Sequence, residues 1–225
     1  MKDYLILIPP SEGKTPGGYK PSIKKFSQAT QYIVDQWKSL SRSQWQKLLG
    51  VKDKALDKAI SCNSDVLNSK TFPAIERYSG VVYNAIDYGT LTKAEQKRFN
   101  VHVRIVSAVF GLVAPQDLIP DYKFKISNLG VDKYWREINK KSLQGAFVID
   151  LLPQAHKKAV EYNDGISIDF SIIKNGKKVP AGHHGKHIKG RYVRWLVQQK
   201  TLNEAVLKKF DEDGFQWQSD GYVKG

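Results

Sequence analysis

The sequence predicts an α/β fold of mixed α+β type: a central mixed β-sheet flanked by helices, with a small helical lobe within residues 27–70. Three observations carry that expectation. Apolar runs at 4–8, 103–108 and 146–150 are bounded by Pro, Gly or polar residues and have the length of buried strands. Capping-box spacings at Ser41/Gln44 and Thr92/Glu95 announce helix starts. Asn175-Gly176 is the favoured two-residue hairpin turn and makes one strand pair antiparallel. At 225 residues, with 41% hydrophobic and 11% aromatic residues, the chain suits a single domain over 1–225. Such a length buries about 70% of the unfolded surface.

The strand at 4–8 is stopped by Pro9-Pro10. Behind it, SEGKTPGG at 11–18 supplies backbone amides, Ser11, Thr15 and Lys14 at a strand end, a set that suits an anion. A nucleotide phosphate loop needs Gly five residues before its Gly-Lys pair, and Ile8 stands there, so a surface turn suits the stretch equally. Tyr32, Ile33, Gln36, Trp37 and Leu40 have the spacing of an amphipathic helix. The helix opened by Ser41 ends at Gly50, and another follows through Ala55, Leu56, Ala59 and Ile60. Two short helices joined across 49–53 read as helix-hairpin-helix-like, an arrangement that turns amides toward a DNA phosphate, with Lys47, Lys52, Lys54 and Lys58 in support. Lys52 occupies the place of the motif's second Gly, so an ordinary helical corner remains the alternative.

Residues 78–87, YSGVVYNAID, read as a core segment near the central loop, presenting Tyr83 or Asp87. The strand at 103–108 breaks at Phe110-Gly111-Leu112 into a Pro-punctuated loop with Asp117, Asp121 and Tyr122. A helix at 132–138 carries Tyr134 and Trp135. The strand at 146–150 and a helix from Gln154 suggest a crossover beside 103–108. Residues 166–173 alternate in places and return antiparallel over 177–180.

Charge narrows the function. The 36 Lys plus Arg against 22 Asp plus Glu leave +14 and a pI near 9.6, which attracts polyanions, nucleic acid first. No segment combines an apolar and a basic face over several turns, so a membrane surface is not expected. The N-terminal apolar run is too short for a signal peptide or a bilayer span, and one cysteine, Cys62, permits no internal disulfide; both fit a cytoplasmic protein.

The densest chemistry lies at 181–195, AGHHGKHIKGRYVRW. If helical, Lys186 and Lys189 share one face and Arg191 and Arg194 the adjoining one, a density that a phosphate, a carboxylate or the Asp117/Asp121 loop would neutralise. His183 and His187 have zinc spacing, but His184 stands where the catalytic Glu belongs and the neighbouring cations repel a metal, so no metal or cofactor is expected. For chemistry on a nucleotide, a nucleobase or a related small anion, Glu12, Asp117 and Lys186 are the catalytic candidates and Lys14, Lys186 and Arg194 the anion holders. Tyr83, Tyr122, Tyr134 and Trp135 are the stacking or pocket aromatics.

LILIPPSEGKT, YSGVVYNAID, RIVSAVFGLVAPQDLIPDYKF, KYW, VIDL, GHHGKHIKGRYVRW and GFQWQSDGYV follow one another in the order expected of one family. In them the chain resembles the YaaA peroxide-stress proteins over essentially its whole length. The resemblance implies a cytosolic protein of unusual mixed α/β fold that limits oxidative damage to DNA and protein, with a link to lowered free iron. It also implies double-stranded DNA as partner, held in a basic cleft with a helix-hairpin-helix element. That element corresponds to residues 48–59, and the cleft to Lys14, Lys186, Lys189 and Arg194.

Overall fold

From the N-terminus, strand β1 (Tyr4–Ile8) leads into helices α1 (Gln28–Lys38), α2 (Arg42–Leu49) and α3 (Asp53–Ser64). Strand β2 (Phe72–Pro73) and helices α4 (Ala74–Arg77), α5 (Val81–Ile86) and α6 (Lys93–His102) follow. Then come strands β3 (Val103–Ser107), β4 (Gly111–Val113) and β5 (Leu118–Ile119), helix α7 (Val131–Ser142), strand β6 (Phe147–Asp150) and helix α8 (Gln154–Lys157). The chain closes with β7 (Gly165–Ser167), β8 (Asp169–Lys174), β9 (Lys177–Pro180), α9 (Gly182–Gln198), α10 (Glu204–Leu207), β10 (Phe215–Gln218) and β11 (Gly221–Lys224). This computed structural model describes residues 4–23 and 25–225, and its architecture is the mixed α/β one expected.

Ile6, Leu7 and Ile8 are fully buried because β1 is the middle of a five-stranded sheet ordered β4-β3-β1-β6-β7. A strand covered on both faces reads as a continuous apolar run, as here. β3, β1, β6 and β7 are parallel, and β4 turns back antiparallel on β3, so the sheet is mixed. Two expectations are corrected. The strand at 147–150 pairs with β1 rather than with β3, and the Phe110-Gly111 break is a tight return into β4 rather than an open loop. Gly111 sits at φ +68°, and a Cβ there would stand 2.7 Å from the Trp135 ring, so the return needs glycine.

The alternating run at 166–173 is split between sheets. β7 extends the central sheet, whereas β8 joins β9 across Asn175-Gly176 in a second sheet ordered β10-β11-β8-β9. Aromatic side chains of that sheet pack under α9: Phe170 stacks on Tyr222 with centroids 5.4 Å apart, and Tyr192 and Tyr222 both donate to Leu207 O. Helix α9 crosses α5 at Gly190, the close approach that its lack of a side chain permits.

The helical segment follows its local signals. Ser41 accepts from Gln44 N while the Gln44 side chain accepts from Ser41 N, completing the capping box of α2. Gly50, left-handed at φ 69°, ends α2, and no side chain caps the first turn of α3. Trp37, Trp45 and Leu56 join the same hydrophobic core as the central sheet.

Candidate functional site

β1 is flanked by β3 and β4 on one side and by β6 and β7 on the other, so the order in which strands are added reverses beside it. The crevice beyond the carboxyl ends of such strands is where open α/β sheets hold ligands. Residues following each of the three strands meet there. Pro10, Ser11, Glu12 and Lys14 follow β1, Ala108 follows β3, and Ala155 and His156 follow β6; with Tyr122 and Phe124 they line a cavity of about 170 Å³. It adjoins a groove of about 510 Å³ that shares Glu12, Lys14, Phe124 and Lys125 and adds Lys58, Lys123 and the connection Leu49-Gly50-Val51.

Lys14 stands where the two meet. Backbone bonds fix its loop: Ser79 N donates to Gly13 O at 3.1 Å and Thr15 N to Arg77 O at 2.8 Å. The Lys14 ammonium donates to Ser11 O at 3.1 Å and lies 4.1 Å from the Tyr122 ring centroid and 5.5 Å from that of Tyr78. Burial, then the nearby Lys123 charge, lower its pKa to about 8, against the pull of Asp121, Cys62 and Glu12. Beneath it the Tyr78, Tyr122 and Ser107 hydroxyls form a chain of 2.7 and 2.9 Å links, and Ser107 Oγ accepts from the amides of Val109 and Phe110. Asp121 lies 3.7 Å from Lys123, and one of its buried carboxylate oxygens has no hydrogen-bond partner among the described residues. Burial and that carboxylate push the Cys62 thiol up to about 11.

A second half-buried lysine, Lys189, donates to Leu151 O just beyond the end of β6, and burial lowers its pKa to about 8. Asp150 accepts from Leu152 N at 2.8 Å and from the Tyr162 hydroxyl at 3.2 Å, and burial raises its pKa. His156 is held neutral, its pKa lowered to about 4 by burial and by Lys189.

Of the residues singled out from the sequence, Ser11, Glu12, Lys14 and Tyr122 come together here. The others disperse. Lys52 and Lys54 are exposed on the turn into α3 beside the groove. Asp117 is turned back to accept from Ala114 N at 2.8 Å, away from both cavities. Lys186 is exposed on the first half of α9 and does not line the groove. Arg191 pairs with Glu212 at 2.6 Å, and Arg194 donates to the carbonyls of Ile86 and Asp87 at the end of α5. Side chains three apart on α9 thus reach different neighbours rather than one ligand. Tyr83 is buried and donates to Pro9 O at 2.9 Å, and Trp135 is buried and donates to Ala108 O at 2.9 Å. Tyr134 stacks on Tyr32, centroids 4.6 Å apart. Tyr122 offers its ring to Lys14 and keeps its hydroxyl in the buried chain.

Lys58, one of the lysines read as supporting the helix-hairpin-helix-like element, lines the groove, whereas Lys123 and Lys125 were not singled out. Their signal was in DYKFK: in extended backbone alternate residues share a side, so Lys123 and Lys125 project together. Among the described residues, no group of three or more His, Cys, Asp or Glu gathers as a metal site, and no helix is long and apolar enough to cross a membrane.

A groove lined by Lys14, Lys58, Lys123 and Lys125 opens beside the carboxyl ends of the parallel strands of a mixed α/β sheet. Residues 4–221 match the family described as peroxide stress protein YaaA. A UPF0246 protein of Corynebacterium glutamicum is 31% identical over 221 residues, covering 89% of this chain and 88% of the relative. A Corynebacterium efficiens UPF0246 protein is 29% identical over 86% of this chain and 84% of its own length. One from Francisella tularensis subsp. mediasiatica is 24% identical over 96% and 95%. The chain belongs to the YaaA peroxide-stress protein family.

Proposed function

We propose that this peroxide-stress protein acts in the cytoplasm by binding duplex DNA through its phosphates, without sequence preference, and so limits oxidative damage, in connection with lowered free iron. The observation that carries this reading is the groove, where Lys14, Lys58, Lys123 and Lys125 line one depression with the α2–α3 connection, opposed by Glu12 beside Lys125 and by Asp121 beside Lys123. Lys52 and Lys54 flank it, and the first turn of α3 has no side-chain cap, leaving its amides for a phosphate. Phosphate contacts supply affinity, make it salt-dependent and carry no sequence information.

Fluorescence anisotropy on a duplex from about 50 to 200 mM salt tests this. Six lysine–phosphate contacts predict a loss on the order of 10³-fold across that range. Lys58→Ala/Lys125→Ala is expected to weaken binding and to lower the log–log salt slope by about two, whereas Lys186→Ala leaves both near wild type. No binding at the lowest salt, or a double variant that matches wild type, would sink the reading.

The alternative, an enzyme acting on a nucleotide-like anion, is favoured by one observation. A lysine enclosed over a chain of buried hydroxyls is more than phosphate binding requires.

A further inference from the structure

We propose that Lys14 is an amine nucleophile that forms an imine with an aldehyde carrying a phosphate, its chain in the lysine groove and its carbonyl in the adjoining cavity. The inference deepens the proposed function and rests on it for the phosphate end of the ligand.

The two cavities are unequal in a way that fits such a ligand. The larger has the room and charge for phosphate, with Lys58, Lys123 and Lys125 on its walls. The smaller, about 170 Å³, has apolar walls from Pro10, Ala108, Phe124, Ile126 and Ala155, with Ser11, Ser127, Lys125 and His156 also in its lining, and is too small for a nucleoside. A one- or two-carbon carbonyl group fits it. Lys14 is the lysine besides Lys125 that lines both spaces, and its backbone is held on each side by the Gly13–Ser79 and Thr15–Arg77 bonds.

Buried lysines are the usual Schiff-base formers, because desolvation leaves part of the amine unprotonated near neutral pH. Groups around Lys14 are Lys123, Asp121, Cys62 and Glu12, with Lys125 and His156 in the lining of the same cavity and the Tyr78 and Tyr122 rings beneath. At pH 7 a pKa of about 8 leaves roughly a tenth of the amine neutral, about 300-fold more than a lysine at 10.5. The step balances without a redox partner. The Lys14 nitrogen lone pair attacks the carbonyl carbon, a C–N bond forms, and the carbonyl oxygen takes a proton. The nitrogen then loses a proton, the hydroxyl is protonated and leaves as water, and the C=N bond closes. Solvent supplies the proton that oxygen takes and accepts the one that nitrogen loses. Radical attack on deoxyribose leaves phosphate-flanked aldehydes in DNA, and small phosphorylated aldehydes carry the same chemistry.

The test is reduction with cyanoborohydride in the presence of either a duplex bearing one abasic site or glycolaldehyde phosphate, followed by peptide mapping. The expected result is one reduced adduct per chain on Lys14, with a yield that rises with pH through about 8 and is lost in Lys14→Arg. Whichever aldehyde gives the adduct identifies the source. Adduct spread over surface lysines without enrichment at Lys14, or none with either aldehyde, overturns the proposal. Mapping the wild-type chain decides this even if the variant folds poorly. Anisotropy on the same abasic duplex separates the two readings: duplex binding without adduct overturns the imine alone, and adduct from the small aldehyde without duplex binding overturns the DNA reading alone.

Discussion

Arg77→Met is expected to lower the free energy of unfolding by about 4 kcal/mol, the cost of stranding several buried acceptors. Arg77 is fully buried, yet among the described residues no carboxylate forms an ion pair with it. Its guanidinium donates instead to four backbone carbonyls, those of Thr15, Gly17, Lys70 and Ile119, and lies 4.7 Å from the Phe72 ring. These acceptors come from three separate stretches of chain, so the side chain staples the loop that carries Lys14 to the ends of the helical lobe and of β5. Methionine fills much of the volume and supplies none of the donors. Arg77→Lys keeps the charge but has no planar fork to reach four directions, and should recover less than half of the loss. Urea denaturation measures this. With about 2–4 °C per kcal/mol at this chain length, the midpoint temperature should fall by roughly 8–16 °C. A loss below about 1 kcal/mol would mean that the loop satisfies its carbonyls another way.

Gly190→Ala should cost about 3 kcal/mol, although alanine is the better helix former by about 1 kcal/mol. A Cβ at this position would stand 2.3 Å from Val82 O and 2.7 Å from Ala85 Cβ, and the first of these is backbone and cannot rotate away. The two helices must therefore part, and the contacts of Ile188, Tyr192 and Val193 with the core loosen with them. Thermal unfolding of the variant checks the sign. A raised midpoint would show that α5 and α9 separate freely and that helix propensity dominates.

Local signals carried most of the element assignments. β1 was visible because a strand buried on both faces is an unbroken apolar run, and α2 because Ser41 and Gln44 cap each other within four residues. Strand order was not visible, because 147–150 pairs with a strand some 140 residues away and nothing in its own composition names that partner. The basic cluster misled for the same reason. Spacing of three places Lys186 with Lys189 and Arg191 with Arg194 on a helix, but Leu151 O, Glu212 and Ile86 O decide where the cations go. The aromatics Tyr83 and Trp135, attractive as stacking platforms, are core residues whose polar atoms are taken by Pro9 and Ala108. Of the groove, Lys14 was legible from its loop after β1 and Lys58 from the basic run that opens α3; their meeting with Lys123 and Lys125 was not, because it depends on the packing of α3 against residues 123–125.

The central claim, that the groove between α3 and residues 123–125 is where DNA phosphate sits, is tested most directly by lysine acetylation footprinting with and without duplex DNA at low salt. The account predicts protection of Lys58, Lys123 and Lys125 on adding DNA, with Lys52 and Lys54 following and Lys186 unchanged. Protection confined to Lys186 and the β8–β9 lysines, or none at concentrations that saturate binding, would contradict it.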